Sequence, residues 1–167
     1  MASVTNSGAR RVQEFLSSLG DSPDGPYEVK ELPGSTRTAA EAAASIGCTV
    51  AQIAKSLVFR DAATGQAVLV VASGVNRVDT AKIRAATGIV LEKPDGNFVK
   101  QATGFAIGGI PPAGHAAPLR TLLDEDLKRY DTIWAAAGSP FAVFRLTPDG
   151  LGTMTGGTWL DMREGAA

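Results

Sequence analysis

The sequence predicts a mixed α+β domain, a mixed and largely antiparallel barrel-like sheet with flanking helices, formed by residues 1–167 as a single domain. Three observations carry this reading. At 167 residues, with 44% hydrophobic and 20% charged positions, the chain can bury a core. It also falls well short of the roughly 250 residues at which cores begin to split. Two aliphatic and β-branched runs, SLVF at 56–59 and QAVLVVA at 66–72, are separated by the turn-rich DAATG, so one hairpin at least is antiparallel. Helix signals alternate with strand signals, but without the strict strand-helix rhythm of a doubly wound sheet.

The elements follow in order. Val12, Phe15, Leu16 and Leu19 make one apolar stripe at helical spacing, and Gly20 stops it. DSPDGP is turn chemistry, and residues 27–32 after it read as a short strand. Thr38 and Glu41 form a capping box for a helix over 38–46 that ends at Gly47. Thr49 and Gln52 repeat the pattern, which predicts a second short helix leading into the hairpin. Asp79 caps a helix that runs to Ala86 and stops at Gly88, after which residues 89–91 read as a strand. Asp95 caps another helix ending near Gly104. Residues 119–123, 132–137 and 142–146 are further strands, and Thr147-Pro148 opens a last short helix with proline at its first position.

Composition narrows the function. Sixteen basic and 17 acidic residues give a net charge of −1, which argues against a protein that grips nucleic acid by neutralising many phosphates. A single cysteine, Cys48, forms no internal disulfide, and one histidine without a second cysteine removes the usual zinc ligand sets. The longest aliphatic stretch, AVLVVA, is far too short to span a bilayer, so the expectation is a reduced, cytoplasmic protein without a membrane partner.

Nineteen glycines and nine prolines are more than connections alone need. They concentrate in GFAIGGIPPAGHAAP, residues 104–118, where glycine lets backbone approach a ligand and Pro111 and Pro112 stiffen the rim. Free amides on such a rim could hold a carbonyl oxygen as charge develops on it; an elaborate turn is the plainer reading. His115 closes the loop and is the chain's one imidazole, hence its one candidate for histidine acid-base work. Lys55 sits in an apolar neighbourhood at the start of a strand, where an ammonium must reach solvent, meet a carboxylate or face a cleft. Arg10, Arg11, Arg77, Lys82 and Arg84 read as ordinary surface charge, and Cys48 as a small packed side chain. Ser139 lies in AGSP, outside any nucleophile elbow.

Taken together, TAAEAA at 38–43, IAKSLVF at 53–59, and TG at 103–104 followed by GGIPPAGH at 108–115 resemble the YbaK/ProX family of aminoacyl-tRNA deacylases. Order and spacing match from about Val12 to Asp161, most specifically in GxxxPxxH, satisfied by Gly108, Pro112 and His115. The resemblance implies a compact mixed β-barrel with surrounding helices and a pocket for the aminoacyl-adenosine end of a mischarged tRNA. It implies hydrolysis of that ester in trans, on tRNA-Pro carrying a small wrong amino acid such as Ala or Cys, without metal or cofactor. A synthetase would supply further grip on the tRNA. Lys55 matches the lysine most associated with activity, and His115 a histidine found in some branches, as the catalytic pair. Thr38 matches a position near the aminoacyl group, and Gly108, Gly109, Ile110, Pro112 and Gly114 match the loop that shapes the pocket. Pro111 stands where the cysteine-specific branch carries serine, and a rim of Gly, Ala and Pro without charge favours a small aminoacyl group such as alanine. Two alternatives stay open: a binding module that leaves the ester intact, and a small-ester hydrolase with His115 as base.

Overall fold

The computed structural model describes residues 4–20 and 26–165. Most of the turn expected at DSPDGP, residues 21–25, lies outside them. Five helices are present among the described residues: α1 (Ser7–Ser18), α2 (Ala39–Ile46), α3 (Thr80–Thr87), α4 (Gly96–Thr103) and α5 (Pro148–Thr155). Eight strands accompany them: β1 (Val29–Glu31), β2 (Ile53–Asp61), β3 (Ala67–Ser73), β4 (Leu91–Glu92), β5 (Arg120–Asp124), β6 (Ile133–Ala136), β7 (Ala142–Leu146) and β8 (Thr158–Leu160).

All eight join one sheet in the order β1-β7-β6-β2-β3-β5-β8, with β4 added beside β2. The expected hairpin is β2–β3, paired antiparallel from Ala54 opposite Ser73 to Arg60 opposite Ala67. Parallel pairings join β2 to β6, β3 to β5 and β5 to β8; the remainder are antiparallel, so the sheet is mixed as the sequence predicts.

The continuous aliphatic run of β3 has a direct cause. Leu69 and Val71 point into a core shared with Val12 and Leu16 of α1, Val99 of α4 and Leu151 of α5. Val68, Val70 and Ala72 point the other way, into a second core with Ile83 of α3, Leu122 and Met162. A strand covered on both faces reads as unbroken rather than alternating hydrophobicity. The barrel-like mixed sheet with flanking helices that the sequence predicts is present, and it does not close. Helices already pack on both faces, and the path ends in two three-residue strands, β1 and β8, that do not pair with one another among the described residues. The sheet is open.

Local signals mostly act where the sequence places them. Thr38 Oγ1 accepts from the Glu41 amide at 3.1 Å, and the side chains of Asp79, Asp95 and Thr147 likewise cap α3, α4 and α5. The second capping box, at Thr49, closes only a 3₁₀ turn, Val50–Gln52, because β2 begins at the next residue. The strand expected over 89–91 shrinks to Leu91–Glu92, with Ile89 buried instead in the second core. A 3₁₀ turn at Glu125–Arg129 and the parallel strand β8 were not legible, since nonlocal pairing with β5 makes the latter.

Helix α1 docks through bare backbone. A Cβ on Gly8 would overlap the Gly138 carbonyl oxygen, and one on Gly138 would lie 2.5 Å from the Gly8 oxygen. Gly8→Ala is expected to lower unfolding free energy by about 1–3 kcal/mol, the usual scale of overpacking. Urea denaturation reads this as a lower midpoint at constant slope; an unchanged midpoint would mean that α1 retreats freely.

Candidate active site

Strand β2 crosses the middle of the sheet with unequally covered edges. On the β3 side pairing is continuous. On the other side β6 reaches Ile53 and Ala54, and β4 reaches Arg60 and Asp61, so residues 55–59 have no strand partner there among the described residues. Antiparallel parity decides which backbone groups this gap exposes. Gly74 N–H donates to the Ile53 carbonyl and Asp61 N–H to the Gln66 carbonyl, both at 2.8 Å, so the odd-numbered residues of β2 direct their polar groups at β3. The N–H and C=O of Ser56 and Val58 therefore face the gap. Its length follows from Pro94: continuing the register in which Arg60 opposes Glu92 would set Pro94 opposite Val58, and proline has no N–H to donate.

A cavity of about 880 Å³ opens on this gap. Its walls come from β2, the start of α2 around Thr38, the turn at Gly74, Lys93 and Pro94, the loop residues Gly108, Gly109 and Ile110, and β6. Lys55 is half-buried in the lining. Burial pushes its ammonium below the ordinary lysine value of 10.5; the Asp124 carboxylate opposes that shift and Arg77 adds to it. Arg37, Arg77 and Lys93 also line the cavity, so a chain of net charge −1 gathers four cations at one opening, with Glu164 as the acidic lining residue. The Ser56 hydroxyl oxygen is buried there without a hydrogen-bond partner among the described residues.

The glycine-proline loop is seated by close backbone contact. Gly138 N–H donates to the Gly109 carbonyl at 2.8 Å, and a Cβ on Gly109 would come within 2.7–2.8 Å of the Ser139 backbone, so that position admits only glycine without displacement. The same turn receives Thr36, whose amide and hydroxyl both donate to the Pro140 carbonyl, at 2.6 and 2.8 Å. Among the described residues none accepts a hydrogen bond from the Gly108 amide, and Gly109 closes the turn at residues 107–108. His115 Nε2–H donates to the Pro111 carbonyl at 2.7 Å, bracing the loop from within. Burial lowers its pKa from the ordinary 6.5, and the Pro111 bond partly offsets this.

Beneath the cavity, Asp124 is buried at 1% exposure and accepts from the Ser73 amide (3.0 Å), the Asn76 side chain (2.8 Å) and the Asp126 amide (2.9 Å). These bonds clamp the turn that carries Gly74 and Arg77 to the cavity. Asp126 extends the network to Asn76, Arg129 and Arg163.

Of the residues singled out in the sequence, Thr38, Lys55, Gly108, Gly109 and Ile110 meet at the cavity. Pro112, Gly114 and His115 stand outside its lining: Pro112 is buried, Gly114 packs against the Phe15 ring, and His115 turns back on Pro111. Arg77 is a surface charge as read, its side chain 87% exposed at the cavity mouth and 3.8 Å from the Glu164 carboxylate, whereas Arg11 stacks on Phe105 and Lys82 pairs with Asp161 elsewhere. Sequence reasoning missed Arg37, Lys93 and Asp124, which carry no local motif, and gave Ser56 no role although it lies in IAKSLVF. Cys48 packs beside Ile53 as expected, and burial raises its pKa.

Fold and site define a mixed α+β domain with a cation-rimmed cavity built on a strand edge; among the described residues no group of three or more His, Cys, Asp or Glu is placed to hold a metal. No helix is long and apolar enough to cross a membrane among the described residues. Residues 34–153 match the aminoacyl-tRNA editing domain, and the chain belongs to that family. It is 36% identical over 136 residues to the uncharacterized protein YwhH of Bacillus subtilis (strain 168), covering 81% of this chain and 86% of that one. The crystal structure of a candidate trans-editing enzyme for prolyl tRNA synthetase is similar at 47% identity and TM-score 0.88, over 97% of this chain and all of the other. A scaffold protein from epitope backbone grafting by computational design is similar at 44% identity with the same TM-score and coverage.

The Asp126 network has a pH signature. Burial opposes ionisation of Asp126, but the Asn76 hydrogen bond, Arg163 and Arg129 outweigh it and hold the carboxyl below its ordinary 3.8. A carboxyl depressed in the native state contributes stability above its unfolded pKa and loses it as pH falls through the native value. Asp126→Asn should therefore be less stable than the parent near neutrality, with the difference shrinking below about pH 4. A difference independent of pH in denaturant titrations would assign the loss to packing alone.

Proposed function

We propose that this chain hydrolyses the ester between a small, wrongly attached amino acid and the 3′ end of tRNA-Pro, in trans to the synthetase that formed it. The observation that carries the reading is the convergence of Lys55, Thr38 and the Gly108–Gly109 rim on one cavity in a member of the editing family. The similar candidate enzyme for prolyl tRNA synthetase supports the choice of tRNA.

The chemistry needs little from the protein, because an aminoacyl ester is already activated. Water adds to the carbonyl carbon, the bond to the ribose oxygen breaks, and that oxygen leaves with a proton, giving free amino acid and tRNA. The unpaired amide of Gly108 and the Lys55 ammonium are donors for the carbonyl oxygen as it gains charge. Partial desolvation strengthens that attraction and eases proton transfer from the ammonium. His115 acts as a brace of the rim: its Nε2 proton is engaged by Pro111 and the ring lies outside the cavity lining, which does not favour the small-ester hydrolase with His115 as base. Arg37, Arg77 and Lys93 grip the phosphates nearest the ester, a local hold that suits a net charge of −1. The synthetase provides the remaining hold on the tRNA, in the cytoplasm.

Lys55→Ala is expected to lower deacylation of alanyl-tRNA-Pro by about 100-fold or more, the scale of one lost oxyanion donor, while the fold persists. Its lowered pKa should place the alkaline limb of the wild-type rate profile below 10.5. A well-folded variant with parental rates refutes the role of Lys55. If mischarged tRNA is bound but never cleared, the module that leaves the ester intact replaces the reading.

Specificity follows from the walls. Ala39, Ala40, Ala54, Ala135 and Ala136 line the cavity with the two glycines, between the bulkier Leu57, Phe59 and Trp134, and Ile110, 7% exposed, closes the wall beside the glycines. Rates on tRNA-Pro charged with Ala, Ser, Cys and Leu should fall with side-chain size. A methylene is worth about 1–3 kcal/mol in such a pocket, so Ile110→Ala should raise the relative rate on the larger substrates. Faster clearance of cysteine than of alanine by the parent would overturn the size argument.

A further inference from the structure

The unpaired edge of β2 has its own recognition chemistry. We infer that the gap-facing backbone of Ser56 and Val58 reads the Watson–Crick edge of the adenine at the 3′ terminus of tRNA; this rests on the deacylase reading above. Between Ala54, the last residue held by β6, and Arg60, the first held by β4, the gap presents N–H and C=O of Ser56, then N–H and C=O of Val58. Backbone N–H and C=O groups need partners, and none of the described residues supplies one to these. The buried, unpartnered Ser56 hydroxyl lies at the same place.

The pattern selects the ligand. An ammonium has donors only and a carboxylate acceptors only, so either would match half of an edge that alternates donor and acceptor. Adenine offers a donor, the 6-amino group, beside an acceptor, N1. A carbonyl on residue i and an amide on residue i+2 of one strand edge match that pair: the Ser56 carbonyl accepts from the amino group and the Val58 N–H donates to N1. Val99, Ile107 and Trp134 line the cavity, and Ile107 is 67% exposed, so apolar surface is at hand for the faces of a planar base. Arg37, Arg77 and Lys93 then lie in the same cavity as the nucleotide's phosphate.

Since the recognising groups are backbone, the experiment changes the ligand. The probes are stable 3′-alanylamino-3′-deoxynucleosides bearing adenine, 7-deazaadenine, 1-deazaadenine or hypoxanthine, titrated calorimetrically into the full chain. Adenine and 7-deazaadenine keep both partner groups and should bind alike. Losing N1, or reversing both groups as hypoxanthine does, should weaken binding by about tenfold or more, the effect of leaving buried polar groups unmatched. Equal binding of the adenine and hypoxanthine probes overturns the inference, and so does failure of every probe to bind. Neither result decides whether alanyl-tRNA is deacylated, so the fate of the proposed activity is read separately from the tRNA assay.

Discussion

The site depends on one backbone contact, the seating of Gly109 against Ser139. With no side chain between them, the loop lies on the turn that joins β6 to β7, and Gly138 holds it there through the Gly109 carbonyl. That turn is also where Gly8 of α1 packs and where Thr36, just before α2, is tied to Pro140. Three segments far apart in sequence therefore share one anchor. The anchor sets the distance between the glycine rim and Lys55, which is carried by a different part of the sheet. Interiors are close-packed, so a shift at the anchor reaches the rim rather than being absorbed.

The electrostatics follow from where the sheet lets solvent in. Both faces are covered by helices, and what opens is an edge: the stretch of β2 that neither β6 nor β4 reaches. A lysine at such an edge is partly desolvated yet still accessible, a state that a position under a helix or on the surface would not provide. Asp124 tempers the shift from a distance while its own charge is spread over three hydrogen bonds. Arg37, Arg77 and Lys93 concentrate positive charge at the same opening although the chain as a whole is almost neutral. Local field rather than net charge is what an anionic ligand meets.

Membership of the editing family and the likeness of whole folds fit this division of labour. The scaffold is a general mixed sheet. Its particular chemistry sits in a loop, a strand edge and a few cations arranged around them, where binding residues most often lie when rigid elements hold loops in place.

Much of the fold was legible because its signals are local. Thr38, Asp79, Asp95 and Thr147 each cap a helix through bonds to amides two or three residues on, and the β2–β3 hairpin closes over a five-residue turn. Such features need no knowledge of the rest of the chain. The density of glycine and proline at 104–118 raised a ligand rim beside the plainer reading of an elaborate turn, and the setting of Lys55 left solvent, a carboxylate or a cleft open. Tertiary structure alone decided which of these meet. The resemblance that placed His115 beside Lys55 could not show the imidazole turning back on Pro111, because rotamer and burial depend on neighbours distant in sequence. Arg37, Arg77 and Lys93 converge only after three separate turns are positioned. The open edge of β2 is the clearest case: Pro94 carries the missing N–H in its covalent structure, but its meaning appears only when the pairing of β2 with β4 brings it to the position opposite Val58. Local hydrogen bonds are written in the order of residues, whereas an unfilled place in a sheet is defined by strands that do not come together.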